Sequence, residues 1–458
     1  MDLHNNNNSS AKDVASPRVA FHTLGCKVNY YETEALREQF RREGFVPVAA
    51  DAAADIYVIN TCTVTHLADR KTRQLICRVK RQNPKSLIVA CGCYPQVDPD
   101  AVAAIPGVDL LAGTALRLLL PGLIKRRLQG EEIEPPVKPY EGHTGYEEMP
   151  WTPDQGRTRA YLKIQDGCDR CCSYCIVPFA RGPLRSLPPS RVLGNLREIG
   201  AAGYREVVLT GIHLGLYGVD LNPPSSLAAL LAEAVRLPGP QRIRLSSLEP
   251  ADFSDPLISV IAAADSICRH LHIPLQSGDD TILHRMRRQY DTAYFHRLLG
   301  ELRTAIPDLA ISTDIIVGFP GEEERHFQKS FAFVRECGFS RLHVFPFSPR
   351  RGTKAAQMGP AVPPVVKKER SRSMIELGVK LSLDFQKSFF GRTLPVLFEK
   401  VVGEEAADRQ PLLILEGLTS QYLRVRAPAG ANLRGQMRYV LLQSSGGAYI
   451  NGTIFPQS

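Results

Sequence analysis

The chain has 458 residues with 44% hydrophobic and 22% charged residues, a balance typical of globular proteins, and a formal net charge of +9. This length allows two or three domains, each with its own core. No apolar run is long enough to span a bilayer, and the polar N-terminus predicts neither a secretory signal nor a membrane anchor. The eleven cysteines are therefore expected to be ligands, catalysts or buried thiols in a reducing cytoplasm. The positive charge favours a polyanionic partner.

The N-terminal part of the chain is predicted to be a disordered tail (1–16) followed by an α/β domain (17–130). Strand-like segments at 19–24, 55–60, 87–90 and 108–111 alternate with helix-like segments at 31–42, 66–82 and 115–128. This alternation predicts an open parallel sheet covered by helices. Cys26, Cys62 and Cys93 each follow one of the first three strands. Because the carboxyl ends of parallel strands meet at one edge, the three thiols are expected to lie together there.

The rest of the chain divides into three further segments. An acidic, proline- and glycine-rich stretch (131–158) is predicted to be a linker, and a second alternating region (159–390) follows it. Its strand-like segments lie at 160–165, 206–211, 241–246, 269–273, 310–317 and 341–346. Six β/α units predict an incomplete (β/α)6 barrel that ends in a long helix at 364–390. Short strands with glycine-rich turns in 391–458 predict a small β-barrel.

A cysteine-rich loop follows the first strand of the predicted barrel, where barrel active sites lie. Cys168, Cys172 and Cys175 can bind three irons of a four-iron cluster and leave the fourth iron open. Zinc is the alternative, but a structural zinc site needs a fourth Cys or His, which the following residues do not supply. Cys171 interrupts the spacing and is predicted to be a non-ligand. Tyr174 is predicted either to pack on a planar ring beside the open iron or to be a packed loop aromatic.

The Cys-x3-Cys-x2-Cys loop resembles that of radical S-adenosylmethionine enzymes, and residues 18–455 resemble one branch of them, the methylthiotransferases. The blocks that carry this resemblance include Thr23-Leu-Gly-Cys26-Lys-Val-Asn29, Asn60-Thr-Cys62-Thr-Val-Thr65, Cys91-Gly-Cys93-Tyr-Pro-Gln96, Cys175-Ile-Val-Pro-Phe-Ala-Arg-Gly182 and Thr313-Asp-Ile-Ile-Val-Gly-Phe-Pro-Gly-Glu322. They occur in the family's order along the chain, which makes a chance match negligible.

The resemblance implies two [4Fe-4S] clusters and S-adenosylmethionine as cofactor. The ligands would be Cys26, Cys62 and Cys93 for one cluster and Cys168, Cys172 and Cys175 for the other. Spacing alone does not separate Cys91 from Cys93, whereas the family pattern Gly-Cys-Tyr selects Cys93. The loop cluster would generate a radical from the cofactor, and the N-terminal cluster would hold the sulfur that is methylated and inserted.

Small or polar residues at the strand ends are candidates for the cofactor pocket. They are Gly211, Ser246, Ser247, Glu249, Gln276 and Asp314, with Tyr174 beside them. Each is alternatively a residue that anchors its own loop. Arg181 and Arg185 follow the cysteine loop and are candidates for binding an anionic substrate or the cofactor carboxylate, with a solvated surface role as the alternative.

Two features predict RNA binding. The helix-like segment from residue 66 carries Arg70, Lys71 and Arg73 in a basic cluster close to Cys62, although charged helix faces are usually only solvated. The C-terminal β-barrel resembles the TRAM domain, an RNA-binding appendage of RNA-modifying enzymes. A shape-and-groove mode of RNA contact is compatible with its modest charge.

The blocks around Cys26 and Cys62 look most like the branch that converts N6-threonylcarbamoyladenosine at position 37 of tRNA to its 2-methylthio derivative. Sibling activities act on isopentenyladenosine of tRNA or on a ribosomal-protein aspartate, and they remain alternatives, as does a noncatalytic metal-stabilised RNA-binding protein. The enzyme reading requires an electron donor such as flavodoxin or ferredoxin and a sulfur donor that the sequence does not identify. It needs no membrane.

Overall fold

The computed structural model describes residues 16–134, 137–140, 145–153, 156–406 and 411–455. The predicted disordered tail lies outside the described residues except for its last position. In the described part of the chain, no helix has the length and apolar character needed to cross a membrane.

The N-terminal region is a five-stranded parallel sheet with strand order β2-β1-β3-β4-β5. The strands are β1 (Arg18–Thr23), β2 (Val46–Val48), β3 (Ile56–Thr61), β4 (Leu87–Gly92) and β5 (Leu110–Ala112). The helices are α1 (Lys27–Arg42), α2 (His66–Gln82), α3 (Cys93–Val97), α4 (Pro99–Ala103) and α5 (Leu120–Leu128). Strand β3 is buried along its whole length, as expected for a sheet covered on both faces. Strand β2 was not predicted because three residues on a sheet edge carry too little periodicity.

The central region is an incomplete barrel of six parallel strands, as the sequence predicts. The strands are β6 (Arg159–Lys163), β9 (Glu206–Thr210), β10 (Arg242–Leu245), β11 (His270–His272), β12 (Ala310–Val317) and β13 (Arg341–Pro346). They form two three-stranded sheets that parallel bridges, such as Ser247 to His272, connect into one curved surface. The short antiparallel pair β7 (Gln165–Asp166) and β8 (Arg185–Ser186) brackets the cysteine loop.

Helices cover the outside of this barrel. They are α6 (Val177–Arg181), α7 (Pro189–Ala201), α8 (Leu227–Ala234), α9 (Asp255–Ala263), α10 (Asp280–Arg285), α11 (Thr292–Ala305), α12 (Glu324–Cys337) and α13 (Pro364–Lys387). Except for the short helix α6, their apolar faces join the strands in one core that continues into the N-terminal sheet. The two α/β regions are thus packed against each other.

The C-terminal region is a closed barrel with strand order β14-β15-β16-β18-β17. Its strands are β14 (Thr393–Glu405), β15 (Leu412–Thr419), β16 (Arg424–Ala429), β17 (Met437–Ser445) and β18 (Ile450–Ile454). It contacts the end of the larger barrel at which the parallel strands begin. There Arg242 Nη1 donates to the Leu418 carbonyl (3.1 Å) and Arg244 Nη2 to the Thr419 carbonyl (3.1 Å).

The segment predicted as a linker packs onto both α/β regions in its described part. Met149 is buried, and its carbonyl accepts a 2.5 Å hydrogen bond from the Tyr31 hydroxyl. The Tyr146 hydroxyl donates to the carbonyl of Lys163 on β6 (2.7 Å). These contacts hold the N-terminal sheet against the barrel.

Candidate cluster sites and nucleic-acid surface

The three N-terminal cysteines converge at the carboxyl edge of the first sheet. Cys26 caps α1, Cys62 follows β3 and Cys93 begins α3 directly after β4. Gly25 has a φ of +111°, and a Cβ placed on it would lie 2.6 Å from Cys62 Cβ. Burial raises the pKa of the Cys62 thiol to about 12, and the nearby Cys93 and Cys26 thiols contribute to that rise. A metal that bound here would have to displace the protons of these thiols.

Asn29 ties this edge together. Its Nδ2 donates to the Leu24 carbonyl (2.7 Å) and to the Thr61 carbonyl (3.0 Å), so one amide holds the backbone shortly before Cys26 and Cys62. Its Oδ1 accepts a 2.5 Å hydrogen bond from Arg181 Nη2. The asparagine that the family motif places three residues after Cys26 is thus a structural clamp for the cysteines.

Arg181 is buried in an ion-pair network between the N-terminal sheet and the barrel. Its Nη1 lies 2.5 Å from Glu32 Oε1, while Lys163 Nζ lies 3.1 Å from both Glu32 and Asp166. Arg117 also pairs with Glu32. Burial would raise the pKa of the Glu32 carboxyl, but the surrounding cations outweigh it and hold that pKa well below its usual range.

This network corrects the prediction that Arg181 and Arg185 bind substrate or the cofactor carboxylate. Arg181 is 1% exposed and engaged by Glu32 and Asn29. Arg185 is also buried; its Nη2 donates to the Arg181 carbonyl (2.7 Å), and its guanidinium lies 4.9 Å from the Tyr140 ring centroid. Both arginines hold the protein together, because each is buried and contacts other groups of its own chain.

The cysteine loop lies at the wall of an open cavity of about 440 Å³. Cys168, Cys172 and Cys175 are all partly buried, whereas Cys171 is exposed. The loop is fixed by backbone hydrogen bonds from Cys168 N to the Gly182 carbonyl (3.0 Å) and from Ser173 N to the Met286 carbonyl (3.1 Å). Tyr174 packs into a small apolar cluster with Phe319 and Met286.

Two residues that sequence reasoning missed approach the loop cysteines. His213 Nδ1 lies 3.5 Å from Cys168 Sγ, and its Nε2 lies 2.5 Å from Asp252. Arg288 Nη1 lies 3.4 Å from Cys172 Sγ, and its other end pairs with Glu249. Burial would lower the pKa of His213, but Asp252 and Cys168 raise it to about 9. His213 lies two residues beyond the strand-end Gly211, and this position near a strand end could have marked it as a site residue in the sequence. Arg288 follows the helix α10 and not a strand, so its position in the sequence does not mark it as a site residue.

The predicted cofactor residues lie at several barrel strand ends in different environments. A Cβ on Gly211 would lie 2.8 Å from Gln165 Oε1, so a side chain here would collide with its neighbour. Ser246 is buried, and its Oγ has no hydrogen-bond partner among the described residues. Ser247 is exposed, and Glu249 pairs with Arg288. A bound ligand could form the hydrogen bond that the Ser246 hydroxyl lacks among the described residues.

Two further cofactor candidates lie on the opposite half of the barrel. Gln276 has a φ of +70°, uncommon for a residue with a side chain. Asp314 Oδ1 lies 3.3 Å from His272 Nε2, so this carboxylate already has a partner. The structure therefore groups Glu249 with the loop cysteines through Arg288, whereas among the described residues no contact of this kind links Asp314 to them.

The donor sets suit clusters better than a single ion. Within the described ranges, no group of three or more His, Cys, Asp or Glu side chains is arranged to hold one metal ion. Thiolates that bind different irons of a cluster lie farther apart than the ligands of one ion. Three soft thiolates at each place fit three irons of a four-iron cluster, whereas a structural zinc site needs four ligands.

Helix α2 presents a basic face beside Cys62. Arg70, Lys71 and Arg73 are exposed, and Arg73 Nη1 donates to the Tyr94 hydroxyl (3.0 Å). The helix's one acid, Asp69, is buried and accepts a 2.7 Å hydrogen bond from Arg350 Nη1, beyond the last barrel strand. The exposed face is therefore more uniformly positive than the sequence implies.

Comparison with known proteins identifies the class of enzyme. Residues 162–334 match the radical SAM superfamily, and residues 18–113 match an uncharacterized protein family, UPF0004. The fold is similar to that of the radical S-adenosylmethionine methyltransferase TsrM from Kitasatospora setae, with a TM-score of 0.55, 16% identity and 74% of each chain covered. The match to the superfamily and the cysteine loop define a radical S-adenosylmethionine enzyme.

Closer relatives identify the family. The threonylcarbamoyladenosine tRNA methylthiotransferase MtaB of Bacillus subtilis is 42% identical over 95% of both chains. A tRNA-2-methylthio-N6-dimethylallyladenosine synthase of Carboxydothermus hydrogenoformans is 36% identical over 82% of this chain and 87% of its own. The chain belongs to the radical S-adenosylmethionine methylthiotransferase family and is more similar to the first of these two relatives.

Proposed function

We propose that this transferase inserts a methylthio group at C2 of N6-threonylcarbamoyladenosine-37 in tRNA, giving the 2-methylthio derivative. The observation that carries the proposal is the 42% identity to the Bacillus subtilis methylthiotransferase over nearly the whole of both chains. The convergence of Cys26, Cys62 and Cys93 supports it, because radical chemistry at the loop alone would not need a second set of thiols.

The cofactors are two [4Fe-4S] clusters and S-adenosylmethionine. Cys26, Cys62 and Cys93 hold one cluster and Cys168, Cys172 and Cys175 the other, with Tyr174, Gly211, Ser246, Ser247, Glu249, Gln276 and Asp314 as candidates for the cofactor pocket. When bound, the clusters and S-adenosylmethionine would supply the radical that removes the hydrogen at C2 and the sulfur that replaces it, and a second S-adenosylmethionine would supply the methyl group of that sulfur. Asn29 and Arg181 keep the N-terminal thiols at the sheet edge, and His213 and Arg288 donate hydrogen bonds to the loop thiolates.

The tRNA binds across the mouth of the cysteine-loop cavity. Arg70, Lys71 and Arg73 on α2 neutralise backbone phosphates, and the TRAM-like barrel (391–458) provides a second contact beyond the α/β regions (17–130 and 159–390). Flavodoxin or ferredoxin supplies electrons. The proposed location is the cytoplasm, which a tRNA substrate and eleven free thiols support.

Mass spectrometry of tRNA nucleosides from a deletion strain tests the substrate. We expect loss of the 2-methylthio-threonylcarbamoyl product, with restoration by the wild-type gene. Retention of that product with loss of the 2-methylthio-isopentenyl product would instead assign the sibling tRNA activity. Unchanged tRNA with loss of a methylthiolated ribosomal protein would assign the aspartate-modifying one.

Anaerobically reconstituted protein tests the chemistry. We expect roughly eight irons per chain and formation of 5′-deoxyadenosine from S-adenosylmethionine. The substitution Cys62→Ala should leave about four irons and retain cofactor cleavage without sulfur insertion. The matched control is Cys171→Ala, which removes an exposed thiol from the cysteine loop and should keep all the iron. Absence of 5′-deoxyadenosine from the wild type would favour a noncatalytic RNA-binding protein.

A further inference from the structure

A second open cavity, of about 680 Å³, lies next to the cysteine loop, and three of its five lining residues are arginines. Its walls are His284, Arg285, Arg287, Arg288 and Met358. Arg288 is neutralised by Glu249, and Arg285 Nη2 donates to the Gly359 carbonyl (2.9 Å). The charges of Arg285 and Arg287 are therefore not balanced by an acid in the wall of the cavity.

The segment that lines the cavity also forms backbone hydrogen bonds that hold the cysteine loop in place. Ser173, between two of the loop cysteines, donates from its N to the Met286 carbonyl (3.1 Å) and from its Oγ to the Arg285 carbonyl (2.8 Å). The Ser173 carbonyl accepts from Ala355 N (2.8 Å). The cations thus stand at a fixed position next to the site of chemistry.

Arg287 adopts a backbone conformation that is unusual for a residue with a side chain. Its φ is +60°, and the residue is exposed. Residues with a Cβ pay a free-energy cost in this region, and such residues concentrate at functional sites. The turn after α10 therefore directs an arginine outward where a glycine would fit with less strain.

The surroundings extend the positive surface toward α2. Residues 281–290 and 341–360 contain no Asp or Glu, and Arg351 and Lys354 in the second segment are exposed. The neighbouring Arg350 contacts Asp69, which places the exposed Arg70 and Lys71 next to this segment. A basic band thus runs from α2 past the cysteine loop to the cavity.

We propose that the cavity at residues 284–288 binds a backbone phosphate of the RNA, close to the nucleotide that enters the active site. The proposal rests on the proposed function for its choice of RNA. A base that is modified at C2 must leave the stack, and its flanking phosphates must then be held in place. Arginines beside the cysteine loop that have no acid in the cavity wall can bind these phosphates. Helix α2 alone would contact the RNA on only one side.

Binding of an unmodified anticodon stem-loop RNA to the holoenzyme tests the proposal, with fluorescence anisotropy measured across a series of salt concentrations. Arg287→Gln should weaken binding and reduce the slope of log affinity against log salt by about one unit. Arg287→Lys keeps the charge and should keep the slope. The matched control Lys329→Gln removes an exposed charge from α12 and should leave the slope unchanged.

The outcomes separate this proposal from the proposed function. The phosphate site would be overturned if Arg287→Gln kept the salt slope of the wild type, or if Lys329→Gln reduced the slope as much as Arg287→Gln. This holds even if the wild type makes the methylthio product. If the salt slope depends on Arg287 but the wild type makes no methylthio product, the phosphate site is supported and the proposed activity is contradicted. Iron content and circular dichroism establish that each variant is folded, and Arg285→Gln combined with Arg287→Gln should reduce the slope by about two units.

Discussion

Arg181 forms a 2.5 Å ion pair with Glu32, and this buried contact joins the two cysteine sites. Glu32 lies on the helix that begins after Cys26, and Arg181 ends the short helix that follows Cys175. The geometry of one set of thiols therefore depends on the position of the other. A protein that uses both sets in one reaction needs such a connection.

Replacing Arg181 by methionine should destabilise the protein by about 3–5 kcal/mol, because a buried carboxylate loses one of its partners. The effect should be measured as the shift of the thermal unfolding midpoint of the cluster-free protein. Arg191→Met is the matched control, since Arg191 pairs with Glu148 while 63% exposed. It should change the stability by less than about 1 kcal/mol. Equal shifts for the two variants would contradict a structural role for Arg181.

The pH dependence of stability should report on Glu206, which is buried under Arg244. Burial would raise the pKa of the Glu206 carboxyl, but Arg244 and its hydrogen bonds lower it below the usual value. A lowered folded-state pKa stabilises the fold above the unfolded-state value of about 4.3, and this contribution is lost as the pH falls through the folded-state value. Glu206→Gln should thus be less stable than the wild type at neutral pH.

The stability difference between Glu206→Gln and the wild type should narrow as the pH falls below about 4. Thermal midpoints measured over this range check the sign. Glu301→Gln, at an exposed position on α11, should track the wild type at every pH. A constant difference for Glu206→Gln would show that its carboxyl is not shifted.

Gly25→Ala should remove the N-terminal cluster. The new Cβ would meet Cys62 Cβ at 2.6 Å in a backbone conformation with positive φ. Gly44 supplies the matched control, because its φ is +87° and its added Cβ would meet no atom within 4 Å. Both variants carry backbone strain of about 1–2 kcal/mol, but only Gly25→Ala should fall from roughly eight irons per chain to about four. Full iron content in Gly25→Ala would contradict the close approach.

His213→Leu should shift the reduction potential of the loop cluster to a more negative value. Hydrogen bonds to cysteine sulfurs stabilise the reduced, more negative cluster, and His213 is placed to donate one to Cys168. An anaerobic redox titration followed by electron paramagnetic resonance measures the change. His296→Leu, at an exposed position on α11, should leave the potential unaltered. An unchanged potential in His213→Leu would show that the contact does not reach the cluster.

The sequence by itself determined the two parallel α/β regions and the strand ends at which the cysteines lie. Strand and helix periodicities are local properties, and parallel connections place successive strand ends on one edge. Cys26, Cys62 and Cys93 could therefore be grouped without coordinates. The family resemblance then selected Cys93 over Cys91, which is buried in the core.

Only the tertiary structure decided which charged side chains face solvent. Arg181 and Arg287 are both arginines near the cysteine loop in space, yet the first is buried against Glu32 and the second is exposed. The partners that make this difference come from distant parts of the chain, so sequence spacing carries no record of them. For the same reason the inward turn of Asp69 toward Arg350 could not be foreseen. Charge pairing in a folded core depends on which helices, strands and loops contact each other, and the packing of the whole chain determines those contacts.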